Sequence, residues 1–193
     1  MASWTNTTGS PISSFSATWT VPDAPVKDDG QNIYLWNGIE PTSGAAVLQP
    51  VLEWEDKTWT IASWYVLSSG TFYLSSTVPT SSGTEITGVV TMVSSSGSSF
   101  DYTASFTGIP DTELPVKGVS ELKWAMVMLE PYGVKTKSEL PPGSTVFSPI
   151  NLKTLAGTPD VTWEPKDQVP GPNDTSTTIN TQGATDAVIT IKY

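Results

Sequence analysis

AVLQPVLEW, residues 46 to 54, is an apolar run broken by two polar side chains, Gln49 and Glu53. Read as a β-strand, its side chains alternate between faces, so Gln49, Val51 and Glu53 share one side while Leu48, Leu52 and Trp54 share the other. One side is a core face. The other carries an amide and a carboxylate beside a valine, and is either wetted surface or a site.

The segments around it have the same character. YLWNGIE (34–40) and WTIASWYVL (59–67) flank it as further strands, the second reached through a turn at Glu55, Asp56 and Lys57. Upstream, SSFSATWTVP (13–22) alternates Phe15, Ala17, Trp19 and Val21 against serine and threonine, as a half-buried strand does, and stops at Pro22. A loop, DAPVKDDGQN (23–32), separates the two. Downstream, TFYLSSTV (71–78), EITGVVTMVS (85–94) and SSFDYTASFTG (98–108) read as strands divided by Ser-Gly turns.

Residues 119–130, VSELKWAMVMLE, admit two readings. Helical spacing groups Leu122, Met126 and Leu129; a strand places Met126, Met128 and Glu130 on one face, with Pro131 ending it. The strand is preferred, because the remaining segments supply sheets that need partners. A Pro/Gly/Lys loop (131–145), VFSPINLKT, PDVTWEP, a second loop and a closing strand AVITIKY complete the chain. Such regular spacing of short strands predicts an all-β fold, a sandwich of antiparallel sheets. The length suits a single domain over 1–193, with 1–12 as a polar N-terminal segment.

Composition narrows the chemistry. The chain has no histidine and no cysteine, which excludes Ser-His-Asp and Cys-His catalysis, histidine-ligated zinc, disulfides and thiol chemistry. Its nine basic residues, all lysine, stand against nineteen acids for a net charge of -10, so a nucleic-acid partner is not expected. No segment reaches the roughly 20 apolar residues of a membrane helix, and no membrane partner is expected. The start, MASWTNTTGS, lacks the basic and apolar regions of a signal peptide, which leaves secretion undecided. Sequons occur at Asn6 and Asn173. Asp28-Asp29-Gly30 and Pro172-Asn173-Asp174 offer oxygen ligands without the spacing of a calcium loop, so neither a metal nor a cofactor is expected. Carboxylate, amide, hydroxyl, phenol and lysine remain as catalytic groups.

In chain order, SATWTVP (16–22), LWNGIEP (35–41), AVLQPVLEW (46–54), ASWYV (62–66), AMVMLEPYG (125–133) and FSPINL (147–152) resemble blocks of the glutamic peptidases of fungi, the eqolisins. The resemblance implies two curved antiparallel sheets, as in the concanavalin-like lectins and glucanases, with a groove on the concave face. It further implies that Gln49 and Glu130 are the catalytic pair, the glutamate activating a water and the glutamine amide binding that water and the oxyanion. Trp36 and Glu40 fall where the family lines its groove, Glu53 replaces an aspartate, and Trp64 and Tyr65 match a Trp-Tyr pair. Val66 stands where the family has an acid, and the family's cysteines are absent. On this reading Trp36, Glu40, Glu53 and Tyr65 contact a polypeptide substrate.

Plainer readings exist for each residue. Gln49 could serve only its neighbours' hydrogen bonds, and Glu130 could be a strand-end carboxylate. Glu40 and Glu53 could form the carboxylate couple that glycoside hydrolysis requires. Most tryptophans, Trp19, Trp54, Trp59, Trp64, Trp124 and Trp163, are expected in the core, with Trp36 and Tyr65 left to stack on sugars or peptide side chains. A lectin-like glycan binder and a non-catalytic family member are therefore the alternatives to a peptidase.

Overall fold

The structure, a computed structural model, describes residues 1–166 and 175–193. The second sequon and the Pro172-Asn173-Asp174 segment fall outside the described residues, apart from Thr175.

Among the described residues, two antiparallel sheets form a sandwich. The first contains β1 (Ala2–Thr5), β3 (Asn32–Glu40), β4 (Ala46–Glu55), β5 (Thr58–Leu67), β6 (Phe72–Leu74), β7 (Val78–Pro79), β11 (Trp124–Tyr132) and β13 (Glu164–Pro165), ordered β13-β1-β11-β3-β4-β5-β6 with β7 also on β5. The second is β10-β9-β8-β2-β12-β15-β14, built from β2 (Ile12–Thr20), β8 (Glu85–Ser96), β9 (Ser99–Phe106), β10 (Ile109–Val119), β12 (Ser144–Thr154), β14 (Ser176–Thr181) and β15 (Ala187–Lys192).

The alternation seen in the sequence sorts the side chains. Phe15, Ala17 and Trp19 of β2 meet Leu35, Leu48 and Leu52 of the first sheet in one core between the sheets. Each such fully buried large side chain contributes about 1.5–3 kcal/mol. Trp19 packs on Phe106 and Phe147, with ring centroids 5.9 and 5.1 Å apart. One polar tie crosses this core, where Asn37 Nδ2 donates to the Gly88 carbonyl at 3.2 Å.

The outer face of the first sheet is also apolar. Trp36, Val51 and Met126 are buried there, with Tyr34, Val47, Trp64, Trp124 and Met128 packed around them. This second cluster uses the side chains that alternate with the core face on β3, β4, β5 and β11. A sheet that has covered one face normally presents polar residues on the other, so this apolar outer face departs from the usual pattern.

Several expectations need correction. The polar N-terminal segment contains a strand, since β1 pairs with β11 from Ala2↔Val127 to Thr5↔Trp124 and Ala2 is fully buried. The segment 71–78 is two short strands, β6 and β7. β10 and β14 arise where no strand was expected; β10 is bulged between Ile109 and Leu114 and again before Val119, which hides its alternation. β11 does not end at Pro131 but pairs through Tyr132 with Asn32. β1 covers β11 only as far as Val127, so the missing N–H of Pro131 has an open side on which to lie. The loop from 131 to 145 holds a short 3-10 helix, Lys137–Glu139. The Asn6 sequon is buried, with Nδ2 donating to the Ser10 carbonyl at 2.8 Å, so the folded chain does not offer that amide to a glycan.

Candidate functional site

β3, β4 and β11 present the candidate residues on the outer face. β11 pairs with β3 so that Glu130 faces Tyr34, Met128 faces Trp36 and Trp124 faces Glu40. On the other side of β3, Trp36 faces Val51 and Ile39 faces Leu48, a register that sets Gly38 across from Gln49. Gln49 and Glu130 therefore arise two strands apart and offset along β3 from Gly38 to Tyr34, both on the outer face.

Both line a cavity of about 370 Å³. Its polar side chains include Gln49, Glu130 and Asn32, and its walls are aromatic and aliphatic, among them Trp36, Trp64 and Val66. Trp36 Nε1 donates to Glu130 Oε2 at 3.0 Å. Burial pushes the Glu130 carboxyl up from its ordinary value, and the Trp36 hydrogen bond partly opposes that rise. Gln49 is 6% exposed, and its Oε1 is buried without a hydrogen-bond partner. A buried acceptor of this kind that borders a cavity is completed by water or by a bound molecule.

Gly38 makes this arrangement sterically feasible. A Cβ there would lie 2.9 Å from both Gln49 Cβ and the Leu48 carbonyl oxygen, and 3.1 Å from the Trp36 ring. Only a glycine lets the Trp36 indole and the Gln49 side chain stand over β3 together. Pro50, next to Gln49, has no N–H to offer, and the β3–β4 ladder skips Asn37 and Gly38.

The other expected residues are less close. Glu40 shares the outer face with Trp36 but does not line the cavity; burial raises its pKa, and the Glu130 charge adds to the rise. Glu53 is almost buried opposite Tyr34, its pKa raised by burial and by Glu55 and lowered by the Tyr34 hydroxyl, and it too is off the cavity lining. The register puts Glu40 six residues beyond Tyr34, Glu53's partner, which is roughly 20 Å of extended strand. Carboxylates flanking one glycosidic bond sit roughly 5 to 9.5 Å apart, so Glu40 and Glu53 are not such a couple.

Tyr65 does not face the cavity. It pairs with Leu48, a core residue, and stacks on Tyr73, while its neighbour Trp64 pairs with Gln49 and lines the cavity. Trp64 and Trp124, expected in the core, both belong to the outer-face cluster. Tyr34 and Tyr132 complete the aromatic lining. Among the described residues no group of three or more His, Cys, Asp or Glu side chains is placed to hold a metal ion. Asp28 accepts from Trp54 Nε1 at 3.1 Å and Asp29 pairs with Lys27, so both carboxylates of that loop are engaged internally.

This architecture is shared by solved structures. The chain matches scytalido-glutamic peptidase, solved with a transition state analog inhibitor, with a TM-score of 0.66 and 18% identity over 100% of this chain and 96% of that one. It matches SCP-B, a member of the eqolisin family solved with the tripeptide Ala-Ile-His, with a TM-score of 0.62 and 16% identity over the same shares. The chain has the eqolisin fold. No protein-family model matches its sequence, and no curated protein matches it significantly. At such identities the likeness is one of architecture, so the role of each residue in this eqolisin-like sandwich has to be argued from its own chemistry.

Proposed function

We propose that the protein hydrolyses peptide bonds with Glu130 as general base and Gln49 as the amide that holds the attacking water and the oxyanion. The observation that carries this reading is that a partly buried carboxylate and a buried glutamine whose amide oxygen has no partner line one cavity, with Trp36 donating to the carboxylate. Burial makes Glu130 a stronger base than an exposed glutamate. In the first step a water oxygen bonds to the peptide carbonyl carbon and its proton passes to Glu130. The Gln49 amide donates to the oxygen on which negative charge develops. In the second step the C–N bond breaks and Glu130 returns the proton to the leaving amine. The chain needs no histidine for this cycle.

The fold lends support, because proteins of the same architecture have been solved with a transition state analog inhibitor and with a tripeptide. A second reading, a lectin-like glycan binder, draws on the rings of Tyr34, Trp36, Trp64 and Tyr132 around the same cavity. Rings presented this way can stack on sugars as well as on peptide side chains.

The deciding experiment is hydrolysis of an acid-denatured protein between pH 3 and 7 by the wild type, Glu130→Gln and Gln49→Ala. Cleavage by the wild type, with losses of about 10²-fold or more in both variants while both remain folded at the assay temperature, is expected. Wild-type protein that cleaves nothing, yet binds oligosaccharides saturably and loses that binding in Trp36→Ala, would establish the glycan reading instead.

A further inference from the structure

At its Glu130 end the cavity closes on a strand pair that the sheet itself supports poorly. Asn32 opens β3, Tyr132 closes β11, the two are partners, and both line the cavity. β4 joins β3 only from Ile33 onward, and β1 covers β11 only as far as Val127. Among the described residues, the Asn32–Tyr132 pair therefore has no neighbouring ladder on either side, and terminal pairs of this kind open more readily than central ones. Yet an ordered rim stands on it. Asn32 Nδ2 donates to the Tyr34 hydroxyl and to Glu55 Oε1, both at 3.2 Å, and the Tyr34 and Tyr132 rings meet edge to face at 5.7 Å.

The support lies directly behind. Gln31, the residue before Asn32, is 2% exposed, and Glu139, on the loop that follows β11, is fully buried. Glu139 Oε2 accepts the N–H groups of Lys135 and Thr136, and its Oε1 accepts from Lys27 Nζ at 3.1 Å, a lysine that also pairs with Asp29. Gln31 Nε2 donates to the carbonyls of Lys27 and Glu139 at 2.8 and 2.9 Å, and its Oε1 accepts the Asp29 N–H at 2.8 Å. The Lys27 N–H donates to the Ser138 carbonyl at 2.8 Å. Gly133, the residue after Tyr132, has a φ of 72° and lies against Gln31, since a Cβ there would stand 3.7 Å from the Gln31 Cα. The loop that leaves Tyr132 is thus clasped to the loop that enters Asn32.

Every polar atom of the Gln31 and Glu139 side chains is engaged by backbone or by Lys27, so this cluster holds chain and offers nothing to a ligand. A buried ion pair is a weak source of stability beside apolar packing of the same volume, whereas a fully satisfied polar network fixes one arrangement of the chain. Here that arrangement is the corner of the sheet that carries the rim.

We infer that Glu139 is a positioning residue, whose carboxylate, through Gln31 and Gly133, holds the Asn32–Tyr132 pair in place so that the rim can receive a substrate beside Glu130. The clasp stands on geometry, and its effect on turnover rests on the peptidase reading. Glu130 lies two residues further into the sheet, paired with Tyr34. Loosening the rim therefore weakens substrate binding and spares the chemical step.

Two measurements compare the wild type with Glu139→Ala, Glu139→Gln and Thr112→Val, at a temperature where each is folded. The glutamine keeps an oxygen for the Lys135 and Thr136 N–H groups, but its amide nitrogen cannot accept from Lys27. Thr112 is fully buried on β10, where its hydroxyl joins the Phe106 N–H to the Ile109 carbonyl, so Thr112→Val destabilises the other sheet and controls for loss of stability alone. In hydrogen exchange read by mass spectrometry, segments 31–34 and 132–136 should exchange roughly tenfold or more faster in Glu139→Ala, less so in Glu139→Gln, and as in the wild type in Thr112→Val. In steady-state hydrolysis of a denatured protein, Glu139→Ala should raise KM roughly fivefold or more with kcat within about twofold, Glu139→Gln should fall in between, and Thr112→Val should change neither. Rim exchange unchanged in Glu139→Ala would overturn the clasp. Faster exchange with KM unmoved, or KM raised as much in Thr112→Val, would overturn the positioning role and leave the peptidase standing. Faster rim exchange in a protein whose wild type cleaves nothing would overturn the peptidase and keep the clasp. If Glu139→Ala does not fold, Glu139→Gln carries both readouts, and behaviour identical to the wild type in both would overturn the inference.

Discussion

Trp36 Nε1 reaches Glu130 Oε2 at 3.0 Å even though the two residues are not cross-strand partners, since Trp36 faces Met128 and Glu130 faces Tyr34. Glu130 therefore leans along β11 towards Trp36. The indole N–H stabilises the ionised carboxylate, against the burial that favours the neutral acid. In Trp36→Phe the donor is gone, and Glu130 should become harder to ionise. A general base works only when ionised, so the acid limb of the kcat/KM profile should move to higher pH. An unmoved acid limb in Trp36→Phe would mean that Glu130 is not the group that titrates in catalysis.

Gly38→Ala should harm the site more than the fold. The new methyl would meet the Leu48 carbonyl oxygen and Gln49 Cβ, both at 2.9 Å, so β3 and β4 must part or Gln49 must turn away. Overpacking of this kind costs about 1–3 kcal/mol. Urea titration should show a loss of that order, with a well-folded fraction remaining in dilute buffer. Activity per folded molecule should fall by roughly tenfold or more, because the Gln49 amide is displaced. Full specific activity in the folded fraction would remove Gly38 from any part in placing Gln49.

Gly88→Ala should act in the opposite way, on the fold and hardly on the site. Its Cβ would fall 2.3 Å from Asn37 Oδ1 and 3.0 Å from Pro50 Cβ, inside the core between the sheets. Asn37 is fully buried between the sheets, so its side chain cannot swing into solvent to make room. A stability loss of about 3 kcal/mol is reasonable for a clash that also disturbs the Asn37–Gly88 hydrogen bond. A denaturant midpoint close to that of the wild type would show that the two sheets can separate locally at small cost.

Strands were legible wherever a clean two-residue period met an apolar core, as in β2, where Phe15, Ala17 and Trp19 all point inward. The sandwich and its antiparallel pairing follow from that pattern. β10 and β14 escaped because bulges break their period and few of their side chains are buried. β1 escaped because a four-residue strand carries almost no periodicity. Beside the cavity, Gln49 stands out by its polarity inside an apolar run, whereas Glu130, at a strand end, is singled out only by the resemblance to the eqolisins. The resemblance points to Tyr65 and the usual place of tryptophan puts Trp64 in the core, and neither argument contains the register of the β4–β5 hairpin, which decides both. Asp56 and Lys57 both have positive φ, 48° and 63°, as a two-residue turn requires. Taking the turn as two residues rather than three pairs Glu55 with Thr58 and so Gln49 with Trp64. A one-residue difference in turn length decides which member of a Trp-Tyr pair reaches the cavity.

Stability should pass through a maximum in mild acid. Burial raises the carboxyl pKa values of Glu40, Glu53 and Glu130, so near neutral pH the native state holds more protons than the unfolded chain. Their contribution is fully present below the unfolded value, about 4.3, and is lost as pH rises through their raised native values. The sequence-wide charge of -10 adds repulsion that acidification also relieves. Glu139 runs the other way. Its buried carboxylate accepts the backbone N–H groups of Lys135 and Thr136 and pairs with Lys27 Nζ at 3.1 Å. These bonds, with Lys135 foremost, lower its pKa to about 2. Asp101, held by the Gly118 N–H and Ser94, is lowered as well. The stability these groups supply is present above their unfolded values and disappears as pH falls through their native ones. The thermal midpoint should therefore rise from pH 7 to about 4.5 and fall again towards pH 2. Two variants separate the limbs. Glu130→Gln removes a partly buried titrating group without changing its shape and should be more stable than wild type at pH 7 but equal to it near pH 4. Glu139→Gln should be less stable than wild type at pH 5, with the difference shrinking towards pH 2. A wild-type midpoint that declines steadily from pH 7 downward would mean that ionised carboxylates hold the sandwich together, and an enzyme working through Glu130 in acid would lose its physical basis.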